Sequence, residues 1–294
     1  MSALIPVYRR RATALHTARA TVSALFCCAL ALVPVLYENP IVLGGALLAV
    51  LGAGSLAGVG RQLRRAMWIA LGFAALVIVI NPLVTSEGLT VLWRGGTFLG
   101  RRWDITLEAL TFGAVAALRV VVLVLVFALF SAVVDPDELL RSLRRLSYRA
   151  ALTVALALRL VPVLARDASR MSDAARCRPE PPGRAAVARS TVGRSLDRAV
   201  ELAAALEVRG YAGARRPARV PRRWSRHDVS VSAATAAIVL VAVAFKIAGA
   251  GWFDPYPTTS MAAGPDELAL VAALMLLAAA PLLAPGSRLG VARA

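Results

Sequence analysis

Long apolar runs and short polar breaks alternate along most of this chain. Runs long enough for a bilayer's hydrocarbon core, about 20 residues, lie near 21–38, 40–60, 66–84, 107–134, 229–248 and 266–284. Between the fourth and fifth the pattern changes, and apolar residues recur at helical spacing among charges. The pattern predicts an all-α protein: a polytopic membrane helix bundle of about six spans with long helices outside the bilayer. It divides into a four-span bundle (1–134), a polar helical region (135–228) and the last spans with a tail (229–294).

The polar region has its own punctuation. DPDELLRSLRRL (135–146) places Asp135 as an N-cap, Pro136 at the first helical position and Asp137 and Glu138 in the first turn. Leu139, Leu140, Leu143 and Leu146 form its apolar side, so a short interfacial helix is expected. The prolines of RPEPPG (178–183) split the rest of the region into two helical arms. The first runs from about Tyr148 to Arg178. Its apolar part, 152–165, holds Arg159 and reads as a helix packed at the cytoplasmic membrane face rather than as a seventh span. Its polar part carries Arg166, Asp167, Arg170, Asp173, Arg176 and Arg178 and stops at Pro179.

The second arm runs from about Arg184 to Arg209. Val192, Leu196, Ala199, Ala203 and Leu206 form one helical stripe. Arg194, Asp197, Arg198 and Glu201, on the other side, are spaced for salt bridges along the helix. Gly210 follows at once and suits a left-handed ending, with Tyr211 packing back on Leu206. Arg209 then sits at the negative end of the helix dipole. Each arm is a helix with an arginine-bearing tip and a stop.

Composition agrees with a membrane protein: 59% hydrophobic residues, 17% charged and a mean hydropathy of +0.68. The formal net charge of +17 is nearly all arginine. With six spans, 29 of the 34 basic residues fall on one side, and only Arg94, Arg101 and Arg102 on the other. The positive-inside rule therefore predicts cytoplasmic termini and a cytoplasmic middle region in a multi-pass plasma-membrane protein. The same rule accounts for the basic run before the fifth span, so no nucleic-acid partner is expected. Arg9 to Arg11 before the first run resemble a signal peptide's start, but no small-residue cleavage site follows and the run reads as retained.

Candidate chemistry is sparse. Cys27, Cys28 and Cys177 form no metal-ligand spacing, and His16 and His227 lie far apart, so no metal site and no cofactor are expected. Lys246, the only lysine, is not preceded by a phosphate-binding glycine pattern. ATP must therefore act through a partner, if at all. Glu108, Asp135 with Asp137 and Glu138, and Asp266 with Glu267 could serve a membrane enzyme acting on a lipid or isoprenoid substrate; each also suits a helix start. Arg119, within a span, is expected to stabilise contacts inside the bundle. Gly54 and Gly58 have the GxxxG spacing of close helix packing.

Several of these segments, in order, resemble the transmembrane T component of energy-coupling factor transporters, ABC-type importers of vitamins and transition-metal ions. They are Leu15-His16, Asn81-Pro82-Leu83, Glu108-Ala109-Leu110, Arg119, DPDELLRSLRRL, ALALRLVPVLARDASRM (155–171) and LAAALEVRGYAG (202–213). The resemblance spans roughly residues 12–245. It implies a non-catalytic coupling subunit, set in the lipid bilayer, that works with two ABC ATPase subunits, which hydrolyse ATP, and a substrate-binding membrane S component. Members carry two Ala-Arg-Gly-type signatures that dock into the ATPases. The second reads Val208-Arg209-Gly210, with Val for Ala. The first reads Ala175-Arg176-Cys177-Arg178-Pro179, with Pro where Gly is expected, leaving Arg176 and Arg178 as alternative docking residues.

Overall fold

The structure, a computed structural model, describes residues 11, 13–84, 90–98, 101–143, 148–179, 182–210, 224–254, 260–261 and 263–283. They fall into two compact units, Met1–Pro136 with Trp224–Ala294, and Asp137–Arg223.

In the first unit every apolar run becomes a helix. A one-turn helix α1 (Ala14–Thr17) precedes α2 (Ala20–Leu36), α3 (Pro40–Leu56), α4 (Gly60–Val84) and α5 (Leu107–Val133). A hairpin of β1 (Val91–Phe98) and β2 (Arg101–Thr106) joins α4 to α5. The helices of α4, α5 and two later ones are long and apolar enough to cross a membrane, whereas α2 and α3 are apolar helices of 17 residues. Helices suit this solvent because each backbone donor finds its acceptor within the segment.

Buried positions on α5 make it the hub: Val121, Val122, Leu125 and Leu129 are sealed, and α5 packs on α2, α3 and α4. The chain caps these helices with the residues that the physics prefers. Asn39 accepts the Ile41 N–H, with Pro40 opening the helix, and Thr106 accepts the Ala109 N–H.

The α3–α4 junction departs from the hydropathy pattern. That pattern leaves Arg61, Arg64 and Arg65 in a loop, but α4 starts at Gly60 and takes them into its first two turns. Gly58 is not a packing glycine within a helix either. It has φ +73°, and the Val59 and Gly58 N–H groups return to Gly54 O and Ser55 O, a Schellman ending. Helix can restart at once after such a tight turn, and arginine is a good helix former. Gly54 does meet the GxxxG expectation of close approach, since a Cβ there would collide with the Leu63 side chain of α4.

The unit closes with α9 (Arg226–Ile247), the strand pair β3 (Phe253–Asp254) and β4 (Ser260–Met261), and α10 (Pro265–Leu283). Helix α9 packs on α2, and α10 on α3 and α9. Leu270, Leu274 and Ala278 put the inner face of α10 into the common core.

Chain outside this core makes the second unit. It holds most of α6 (Pro136–Leu143), then α7 (Tyr148–Arg176) and α8 (Arg184–Val208). Asp137 and Glu138 stand in the first turn of α6, next to the expected cap Asp135. The break between α7 and α8 falls at the proline-rich segment.

Candidate functional site

The two long helices of the second unit pack against each other. Arg198 Nη1 of α8 lies 2.9 Å from Asp167 Oδ2 of α7, and the Thr191 hydroxyl lies 3.6 Å from Met171 Sδ. Advancing along α7 from 167 to 171 means retreating along α8 from 198 to 191, so the helices run in opposite directions. The ion pair differs from the expected pattern. Arg198 reaches across to Asp167 instead of pairing with Glu201 on its own helix, because the helix–helix contact brings that carboxylate within reach of a long side chain.

The packed face of α8 is Val187, Thr191, Ser195, Leu202 and Leu206, all partly buried. It overlaps the predicted stripe only at Leu206. Val192, Leu196 and Val200 are instead 57%, 61% and 69% exposed and form an open apolar stripe. On α7, Val154, Leu158 and Val161 are exposed at similar spacing. Pro162 lies within α7 and removes one backbone donor from its ladder.

At the end of α8 the sequence reading and the geometry meet. Val208 is the last helical residue and 89% exposed; Arg209 is the C-cap, also exposed. Gly210 takes φ +71° and its N–H donates to Glu207 O at 2.8 Å. A residue with a Cβ would resist that conformation. The Arg209 side chain is thus carried on a fixed turn at the helix tip. Tyr211, expected to close this cap, lies outside the described residues.

Helix α7 ends on Arg176, with Cys177 and Arg178 in the turn beyond it, all three exposed. Cys177 and Arg178 N–H donate back to Ala174 O and Ala175 O, both at 3.3 Å. Because α7 and α8 run in opposite directions, Arg176 and Arg178 lie near the start of α8 and Arg209 at its other end. The 25 residues of α8 separate the two tips by roughly 37 Å at 1.5 Å per residue.

The remaining predicted residue, Arg119, lies midway along α5. Its Nη2 donates to Glu38 Oε1 at 3.1 Å and Tyr37 O at 3.3 Å, just past the end of α2. Around it, the Tyr37 hydroxyl donates to Ala242 O at 2.6 Å and Lys246 Nζ stands 5.3 Å from the Tyr37 ring. The two intramembrane cations therefore meet at one residue, which links α2, α5 and α9.

Two of the candidate carboxylates hold loops. Glu108 accepts the Thr90 N–H, and Glu267 accepts those of Gly251 and Gly264 at 2.9 and 2.7 Å. No group of three His, Cys, Asp or Glu residues able to hold a metal occurs among the described residues.

Sequence reasoning missed Asp228. It is fully buried, closes a capping box with Ser225, accepts the Arg19 N–H at 2.7 Å and faces the Arg19 guanidinium. Arg19 also stacks 5.1 Å over Trp224. The signal was Ser225-Arg-His-Asp228 just before an apolar run, the capping-box spacing.

A protein-family model described as CbiQ, cobalt transport protein, matches residues 11–219. The chain belongs to the CbiQ family. This is the family of T components of energy-coupling factor transporters, and the chain is a multi-pass membrane protein of a transport family. No curated protein matches it. The CbiQ match contains both arginine tips and Arg119. It ends before α9, whereas the resemblance read from sequence runs on to about residue 245. Helices α9 and α10 thus lie outside the matched residues, yet they pack into the CbiQ bundle as full members.

Proposed function

We propose that this protein is the coupling subunit of an energy-coupling factor importer. Two ABC ATPases dock at the tips of α7 and α8, and their movement passes to a separate substrate-binding membrane subunit that takes up a vitamin or a transition-metal ion. The observation that carries the reading is the pair of exposed arginine tips on antiparallel helices, separated by the length of α8, in a CbiQ-family chain.

Two tips suit two motor subunits. A guanidinium's planar fork makes bidentate bonds to carboxylates, and a short helix-terminal turn holds it out for a groove to enclose. The second tip uses Val208, Arg209 and Gly210. At the first tip Arg176 is the docking residue we favour over Arg178, because it ends the helix and so moves with it rigidly. The open apolar stripes of α7 and α8 supply surface for the membrane partner.

In this arrangement residues 135–228 and both termini face the cytoplasm, where ATP is. The 29-to-3 distribution of basic residues supports that orientation. The chain is not itself an enzyme; hydrolysis occurs on the ATPases. The family's description as a cobalt transport protein supports a metal ion as cargo.

The test is co-purification in detergent of the full chain with its cell's candidate ABC ATPases. Wild type should retain an ATPase pair. Arg209→Glu should weaken retention more than about tenfold, and Arg176→Glu should do so at the other tip. Unchanged retention in both variants, with the protein folded, would refute the reading.

A further inference from the structure

The exposed face of α4 near its start presents Arg61, Arg64, Arg65 and then Trp68, at the i, i+3, i+4, i+7 spacing of a single helical stripe. Trp68 is 74% exposed. Beyond it the same helix exposes only apolar large side chains: Leu71, Phe73, Leu76, Val79 and Ile80. Opposite lies the buried side, Leu63, Ala66, Ala70 and Ala74, seated in the core.

The charges on this stripe are unfavourable within the protein alone. Arg61 and Arg65 are like charges four apart, and all three guanidiniums crowd the positive end of the helix dipole. No ion pair or hydrogen bond engages them among the described residues. The buried or paired carboxylates of this unit are committed elsewhere: Glu38 to Arg119, Asp228 to Arg19, and Glu108 and Glu267 to backbone N–H groups.

We infer that Arg61, Arg64 and Arg65 form a binding surface for the phosphate of anionic phospholipid headgroups, with Trp68 marking the depth of the interface. Charge selects the ligand: three guanidiniums with no counter-ion among the described residues attract a phosphate-bearing lipid of net negative charge over a zwitterionic one. Position selects a lipid over a soluble anion. The stripe passes within about two helical turns from Arg65 through Trp68 to the open apolar surface at Leu71, the order in which a lipid presents headgroup, interface and acyl chain. Bound lipid would relieve the repulsion at the start of α4, which abuts the tight Gly58 turn out of α3.

The experiment uses the full chain in nanodiscs of phosphatidylcholine with a minor fraction of phosphatidylglycerol. The lipids retained after extraction are counted by native mass spectrometry. Wild type is expected to keep phosphatidylglycerol selectively. The triple variant Arg61→Gln, Arg64→Gln, Arg65→Gln should lose that selectivity by about tenfold or more, while the triple Lys variant, which keeps the charge, should retain most of it. A control replaces Arg166, Arg170 and Arg189, in the other unit, by Gln and should leave selectivity intact. Equal selectivity in wild type and the triple Gln variant would overturn the inference. So would an equal loss in the control, which would make net charge alone the cause, or displacement of the lipid by millimolar inorganic phosphate, which would make the ligand a soluble anion.

Discussion

At the scale of single residues, Gly210 and His16 carry the clearest consequences. Gly210 holds a left-handed backbone with open space around it, so the obstacle to substitution is conformational and not steric crowding. Gly210→Val should cost on the order of 1–2 kcal/mol at the helix end. Amide hydrogen exchange should show the last turn of α8 opening faster while α7 is unchanged.

His16 lies in the one-turn helix α1, its Nδ1 2.7 Å from the Thr13 hydroxyl. Burial pushes its pKa below 6.5, Arg11 pushes the same way, and a hydrogen bond to the Ala132 backbone partly opposes them. The fold therefore favours the neutral ring. The unfolded chain binds the proton more readily, so stability falls as pH drops below about 6.5. Thermal unfolding midpoints measured down the acid range should decline less steeply in His16→Gln than in wild type.

Among the elements, the α7–α8 pair is held by partly exposed contacts. The Asp167–Arg198 bridge has side-chain exposures of 26% and 44%, so solvent screens it. A double-mutant cycle on this pair should give a coupling of at most about 1 kcal/mol. The pair's coherence then comes from the half-buried residues around Thr191, Leu202 and Leu206, and replacing the salt bridge should leave ATPase retention nearly intact.

Elements also show what the sequence could and could not reveal. Apolar runs announced six helices because a span must be long and continuously apolar, and the α8 ending was readable because Gly210 stands directly after the periodic stretch. The α7–α8 contact was not readable. On a helix this short of large apolar residues, small and polar side chains such as Thr191 and Ser195 can form the packed face, so hydropathy pointed to the stripe that stays open. The β1–β2 hairpin was hidden for a related reason: Val91–Phe98 breaks its alternation with two glycines and irregular pairing. The tie of Asp228 to Arg19 and the Tyr37 cluster depend on partners some 200 residues away in sequence, which no local pattern encodes, whereas the Ser225–Asp228 capping box is a local signal.

For the whole molecule, the membrane bundle is knit by a few polar ties laid over apolar packing. Arg19 with Asp228 joins the start of α2 to the start of α9, and Arg119 with Glu38 joins the middle of α5 to the end of α2. Such ties fix the first unit's helices to one another over distances that apolar packing alone leaves unspecified. The coupling role requires that both tips touch ATPases, and crosslinking reads that contact. Cys177 supplies an exposed thiol at the first tip, and Val208→Cys supplies one at the second. In membranes holding the ATPase pair, a short thiol-reactive crosslinker should join an ATPase to each tip. Arg209→Glu should abolish only the adduct at residue 208. If neither tip captures an ATPase, while both thiols remain reactive to a small maleimide, the coupling role is contradicted.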